Sequence, residues 1–207
     1  MPLVEGGHIV EDRYVRVLDD APIPDGGPVI VPGKRFLADA AELVQRDGAL
    51  GVIWPNDRKV AELEPWLDRL ALIALVFPKF RDGRAYSQAR LLREHYGFGG
   101  TLRATGDVLR DQFHFLVRAG FDSFEVKKAA DARVFVEVMA RFSVYYQPGA
   151  DGKTPALLRR RLQGAGAAKT RERVWAASAG RRLAPAIHKL LWSIGCGFRN
   201  RGCQCLL

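Results

Sequence analysis

Cysteine is missing from residues 1–147; Cys196, Cys203 and Cys205 all lie in the last twelve residues of the chain. That absence excludes a thiolate-held iron–sulfur cluster, or Cys-x-x-Cys redox chemistry, built from the main domain's own residues. Long apolar runs are missing too, and none approaches the roughly 20 residues that a membrane-spanning helix needs. The N-terminus, MPLVEGGHIVEDRY, has neither the basic nor the apolar stretch of a secretory signal, so the expected location is cytoplasmic. Charge of one sign is not in excess over the main domain. The formal charge of +9 over 207 residues arises in residues 148–207, which hold twelve Lys+Arg and two Asp+Glu. The remainder is close to neutral, so neither nucleic acid nor membrane is an expected partner of the domain. The tail is basic and rich in Arg, Gly and Ala, with one helix expected from Arg182 to Ile194, and its blocks of like charge suit a loosely docked segment.

Several chemical signatures are also absent. Gly97-Phe-Gly-Gly-Thr-Leu102 ends in Leu where a dinucleotide-binding turn needs its third glycine, so no cofactor is assigned. Gly27 to Lys34 approaches a phosphate loop, but its glycines are one residue too far apart and Arg35 stands where Ser or Thr belongs. No G-x-S-x-G elbow occurs. His8, His95, His114 and His188 are scattered, and Cys196-x6-Cys-x-Cys205 lacks paired short spacings; no metal site is expected.

What is present is rhythm. Short apolar runs at Val29–Val31, Gly51–Trp54, Ala71–Phe77, Thr101–Ala104, Ser123–Val126 and Ser143–Tyr146 alternate with stretches of helical spacing. The helices are expected over residues 36–45, 58–70 (with Pro65 an irregularity), 85–96, 108–119 and 131–141. Ala71–Phe77 is continuous and without alternation, as suits a central strand covered on both faces. Such alternation predicts an α/β fold: an open, mostly parallel sheet of consecutive βαβ units, Rossmann-like and three-layered, or else a partial barrel. Three regions follow: an N-terminal edge segment (1–28), with a strand near Arg13–Leu18; the α/β domain (29–147); and the tail (148–207).

Ligands of open α/β sheets sit beyond the carboxyl ends of the strands. There the sequence places Asn56-Asp57, Lys79 to Arg84, Thr105-Gly-Asp107 and Lys127-Lys128. Arginine forks and helix N-termini suit phosphate, sulfate or carboxylate. The candidate anion site is therefore Arg84, Ser87, Arg90 and Arg103 as contacts, with Asp107, Asp111 and Gln112 orienting them. A competing reading needs no ligand: Asp82 and Asp107 cap helices, Gly83 and Gly106 make turns, and Arg90, Arg93 and Glu94 lie on a solvated face. Arg103 fits that reading least, because a charge inside a strand needs a partner; Asp107, Asp111 or Glu125 could supply it.

Phe77-Pro-x-Phe-x-Asp-Gly-Arg84, Ser87-x-Ala-x-Leu-Leu-Arg93, Leu102-Arg-Ala-x-Gly-Asp-Val-Leu-Arg-Asp-Gln112 and Gly120-Phe-Asp122 closely resemble the bacterial domain of unknown function 934 family, and a weaker resemblance extends over about residues 28–147. Members are described as oxidoreductases of sulfite reduction. The resemblance implies an accessory role in assimilatory sulfate or sulfite reduction, binding an oxyanion ligand or docking on sulfite reductase or another enzyme of that route. It equally admits an oxidoreductase with a borrowed cofactor, or a scaffold without chemistry. Thr101, Thr105 and Ala119 depart from the family pattern; Ala119 stands where Cys is frequent, which weighs against a thiol mechanism.

Overall fold

The structure, a computed structural model, describes residues 1–163. They form a first unit, Met1–Ala156, and the beginning of a second, Leu157–Leu207, of which residues 157–163 are helical. The expected tail helix, the three cysteines and His188 lie outside the described residues.

The first unit opens with three strands, β1 (Leu3–Glu5), β2 (His8–Val10) and β3 (Val15–Arg16). The apolar runs then supply β4 (Val29–Pro32), β5 (Leu50–Trp54), β6 (Leu70–Phe77), β7 (Thr101–Gly106) and β8 (Ser123–Glu125). Between and after them come α1 (Gly33–Leu43), α2 (Arg84–Arg90) continued by a π turn (Leu91–His95), α3 (Phe113–Ala119), α4 (Ala129–Arg133) and α5 (Phe135–Ala140). Val60–Arg69, expected as a helix with an irregularity, winds as a 3₁₀ helix with Pro65 inside it. Proline lacks the amide an α-helix would use there. The strand expected at Ser143–Tyr146 does not form; that stretch is irregular with bends, and Tyr145 is stacked on Arg118 at 4.0 Å.

The eight strands form one sheet in the order β2-β1-β8-β7-β6-β5-β4-β3. From β3 to β8 all pairings are parallel, whereas β8–β1 and β1–β2 are antiparallel. The N-terminal segment is thus more than one edge: it furnishes β2 and β1 at one side and β3 at the other. The β1–β2 hairpin turns on Gly6 and Gly7, both at positive φ (55° and 90°), as a two-residue type I′ turn requires.

Chain length then fixes the curvature. β2 and β3 are opposite edges, yet only residues 11–14 join them. Five residue steps reach at most about 18 Å. A flat sheet of eight strands would hold its edges roughly 34 Å apart. The sheet must curl into a partial barrel, and Arg16 on β3 does reach Glu125 on β8 across the hollow.

Strand parity sends alternate side chains to two unlike faces. Val31, Val52, Trp54, Ile73, Leu75, Leu102, Ala104 and Phe124 pack in one cluster with Phe36 and Ala40 of α1, Leu63, Ala85 and Ala89 of α2, Phe113 and Leu116 of α3, and Phe135 of α5. The helices contributing to this core therefore lie on one face, the convex one, which selects the partial barrel over the three-layer arrangement. On the concave face only Ile30, Leu72 and Ala74 make a small apolar cluster, covered by Tyr14 and Ile53.

Candidate functional site

The concave face holds polar groups in deep burial. Arg103 sits mid-strand on β7 with 1% exposure, and Glu125, Thr105 and Ser123 beside it are also buried. Register explains the grouping: Arg103 pairs with Ser123 across β7–β8, so the two side chains share a face, as do Thr105 and Glu125 two residues on. Arg103 makes a forked pair with Asp12, Nη1 to Oδ2 at 2.7 Å and Nη2 to Oδ1 at 3.0 Å. Glu125 lies 3.6 Å from Nη1, takes a hydrogen bond from Thr105 Oγ1 at 2.7 Å, and receives Arg16 as a second cation. Two guanidiniums and two carboxylates thus balance. Pairs of this kind interact by about 4 kcal/mol at 4 Å and an effective dielectric near 20, which offsets much of the cost of burying them.

The balance leaves two loose ends. Arg103 Nε and Ser123 Oγ are buried and find no hydrogen-bond partner in the protein. Arg103 also faces the ring of Tyr14, 5.7 Å from its centroid. Burial raises the Tyr14 phenol above its ordinary range against the opposing pull of Arg103, so it stays protonated at neutral pH. Burial works against the Asp12 carboxylate, but hydrogen bonds from Arg103 and from the Tyr14 amide outweigh it and hold the group below its ordinary value. Over Arg103 opens a cavity of about 660 Å³, walled by Leu3, Val10, Tyr14, Pro28, Ala49 and Thr101. Pro28, Ala49 and Thr101 stand at the amino ends of β4, β5 and β7. The cavity is thus at the end of the strands opposite to the one expected from the sequence.

The carboxyl ends form a separate polar rim. Asp107 accepts from Lys127 Nζ at 2.7 Å and from the Phe80 amide at 3.0 Å, and these two contacts, in that order, hold its carboxyl below the ordinary carboxylate value. Gln112 closes the same corner: its Oε1 accepts from the Leu109 amide and its Nε2 donates to Phe80 O, each at 3.1 Å. Gly106 makes this turn feasible, since at φ +100° a Cβ there would stand 2.4 Å from Phe77 O. Asp111 is exposed near Tyr86, whose phenol is pushed up to about 12 by burial first and by Asp111 second. Arg84 forks onto Asp82, with Nη2 to Oδ2 at 2.7 Å, and holds that carboxylate well below its usual range. Arg90 pairs with Glu94 along the helix at 3.0 Å, and Ser87 is exposed.

The seven candidate residues therefore do not converge. Asp107 and Gln112 meet at Phe80, Arg84, Ser87 and Arg90 lie along α2 on the convex side, and Arg103 points through the other face of the sheet. Parity is the reason, for Arg103 alternates with Leu102 and Ala104, which enter the helix-side core. Of the partners expected for Arg103, Glu125 is present, while Asp107 and Asp111 lie elsewhere. Asp12, 91 residues distant, gives no spacing signal. The strand expected near Arg13–Leu18 forms as β3, and the Gly6-Gly7 pair between Leu3-Val4 and Ile9-Val10 was a further legible sign that the N-terminus joins the sheet.

A family model described as a bacterial protein of unknown function (DUF934) matches residues 51–157. The chain belongs to that family. No curated protein matches it. The DUF934 span runs from β5 past α5 and includes all seven candidates, Ser123 and Glu125. Asp12, Tyr14 and the cavity wall at Leu3 and Val10 come from outside it. In this DUF934 protein, then, the buried arginine lies inside the matched span and its carboxylate fork partner outside.

Proposed function

We propose that this DUF934 protein is a cytoplasmic accessory component of assimilatory sulfate or sulfite reduction that acts by binding, taking a ligand into the hollow of its sheet and docking on sulfite reductase or another enzyme of the route. The assignment to that route rests on the family resemblance. The observation that carries the binding role is Arg103: buried to 1% exposure and with its charge balanced, it borders a cavity, while its Nε–H, enclosed by the protein, has no acceptor. Buried donors are seldom left so. A cavity of this size with a few placed polar groups is the usual form of a small-molecule site. Among the described residues no helix is long and apolar enough to cross a membrane, which accords with this setting.

The test is growth of a strain lacking the gene and complemented with variants. Arg103→Lys, which cannot reproduce the fork, and Ala49→Leu, which fills the cavity, should slow growth on sulfate as sole sulfur source and leave growth on cysteine normal. Full growth on sulfate by variants that accumulate as folded protein would refute the reading.

A further inference from the structure

The rim at the carboxyl ends of the strands carries a charge that the domain as a whole lacks. β6, β7 and β8 are parallel neighbours, so the loops that leave them (residues 78–84, 107–112 and 126–128) stand side by side. Those loops hold six Lys and Arg against three Asp, on a domain whose sum is close to neutral. Two of the carboxylates are answered within the rim, Asp82 by Arg84 and Asp107 by Lys127. Lys79, Arg81, Arg110 and Lys128 are exposed and enter no ion pair among the described residues. Amid them Phe80 is 44% exposed. A lone exposed aromatic needs no explanation, but this one is held in place. Its amide donates to Asp107 at 3.0 Å, its carbonyl accepts from Gln112 at 3.1 Å, and Lys127 fixes Asp107 in turn. Three loops thus lock the backbone beneath one ring, and the Arg81 guanidinium lies 5.4 Å from the centroid of that ring.

Resting on the reading of this protein as one that docks on another enzyme, we propose that the rim is the docking surface. Its partner is a protein that offers a patch rich in carboxylates around an apolar recess for the Phe80 ring. A ring whose backbone is already fixed gives up little freedom on binding, and aromatic and arginine side chains dominate the energy of protein interfaces. The unpaired cations around it speed encounter with an acidic surface and set its orientation. The three Asp select a protein over a nucleic acid. A continuous row of phosphates would meet Asp111 and the two paired carboxylates along with the cations, whereas a protein sets single carboxylates opposite single cations. The cavity of the hollow opens at the amino ends of the strands, so a ligand there and a partner on the rim do not compete.

Residues 148–207 are themselves basic, so the test needs a readout local to the rim. A photo-crosslinking phenylalanine analogue is placed in the full chain at Phe80 or, as a control, at Val15, which is equally exposed but stands at the amino end of the far edge strand. Cells growing on sulfate are then irradiated. Position 80, and not position 15, should give one discrete adduct whose second component is an acidic protein, identified by mass. That protein, purified, should bind the full chain with an affinity that falls about tenfold or more between roughly 50 and 300 mM salt. Phe80→Ala should weaken it about tenfold, as should Lys79→Glu with Arg81→Glu and Lys128→Glu, changes that leave every ion pair of the rim in place. Unshifted thermal unfolding of both variants would show that the fold is kept. An adduct with nucleic acid or with a second copy would overturn the partner class. No adduct from position 80, or the same one from position 15, would overturn the surface. Binding undiminished by the charge reversals would overturn the role of the cations. A partner outside sulfate reduction that meets these criteria would sustain the surface and overturn the route. A sulfate-reduction enzyme bound with the rim variants at full affinity would do the reverse.

Discussion

Under its helices the sheet buries Trp54, Phe77, Phe113 and Phe124 in one continuous apolar cluster, while its hollow buries Arg103 and Glu125 beside a small apolar cluster of Ile30, Leu72 and Ala74. Both faces bury their central residues, but for different reasons. The convex face is held by area removed from water, which tolerates exchange among apolar shapes of similar volume. The concave face is held by matched charges, which tolerate the loss of neither partner alone. The difference teaches where function has room. Apolar packing fills the interior between helices and sheet, whereas the charge network borders an open volume.

The largest effects should come from breaking each face by its own rule. Phe113, fully buried against Phe124 at 5.5 Å and Phe135 at 5.2 Å, loses its packing on Phe113→Ala, which should cost about 4 kcal/mol in urea unfolding. Arg103→Met leaves Asp12 short of its fork and should cost roughly 3 kcal/mol. The sharper comparison is the double variant Arg103→Met with Asp12→Leu. Glu125 there keeps Arg16 and Thr105 as partners, so most of the lost stability should return. A double variant no more stable than the single one would show that the network is not separable in this way.

Acid should also distinguish the two faces. His114 on α3 is held below its ordinary 6.5, by burial first and then by Arg118 and Arg141. Protonation is thus harder in the folded chain than in the unfolded one, so stability should fall as pH drops below 6.5, and His114→Leu should flatten that limb. Asp12 is held below its ordinary 3.8, so its contribution is complete above that value and is lost as pH falls further, through the folded value. Unfolding midpoints measured from pH 7.5 downward should therefore show two limbs, the upper removed by His114→Leu and the lower reduced by Asp12→Asn. A single limb untouched by His114→Leu would place the upper loss elsewhere.

The same contrast explains what could be read from the amino acids. The convex core is written in periodicity: Ala71–Phe77 as a central strand, and the spacing of Ala85, Ala89 and Leu92 as one helix face, are local patterns that the fold preserves. The hollow is written in long-range pairing. That Arg103 needed a partner was legible from its place in a strand, and Glu125 was among those available. That Asp12 would be the fork depended on a three-residue strand and a four-residue crossing, both too short to carry a period. The rim at the carboxyl ends was located correctly as a set of polar loops, but their charges answer one another: Lys127 with Asp107, Arg84 with Asp82. Sequence gives the residues at a rim and not whether they are already satisfied.

The smallest expected effect is the most direct contrast with Arg103, because it concerns the same residue type. Arg90 and Glu94 are about half exposed and one helical turn apart, and both solvate freely when parted. Arg90→Ala should therefore change stability by no more than about 0.5 kcal/mol, shrinking further in 1 M salt as screening shortens the reach of the pair to about 3 Å. Arg103→Met, by contrast, should keep most of its effect in the same salt, since the guanidinium is only 1% exposed and a pair buried on one side is screened much less. A salt-dependent Arg103 variant would mean that the hollow is wet, and the argument for a balanced, dry guanidinium with one donor to spare would fail with it.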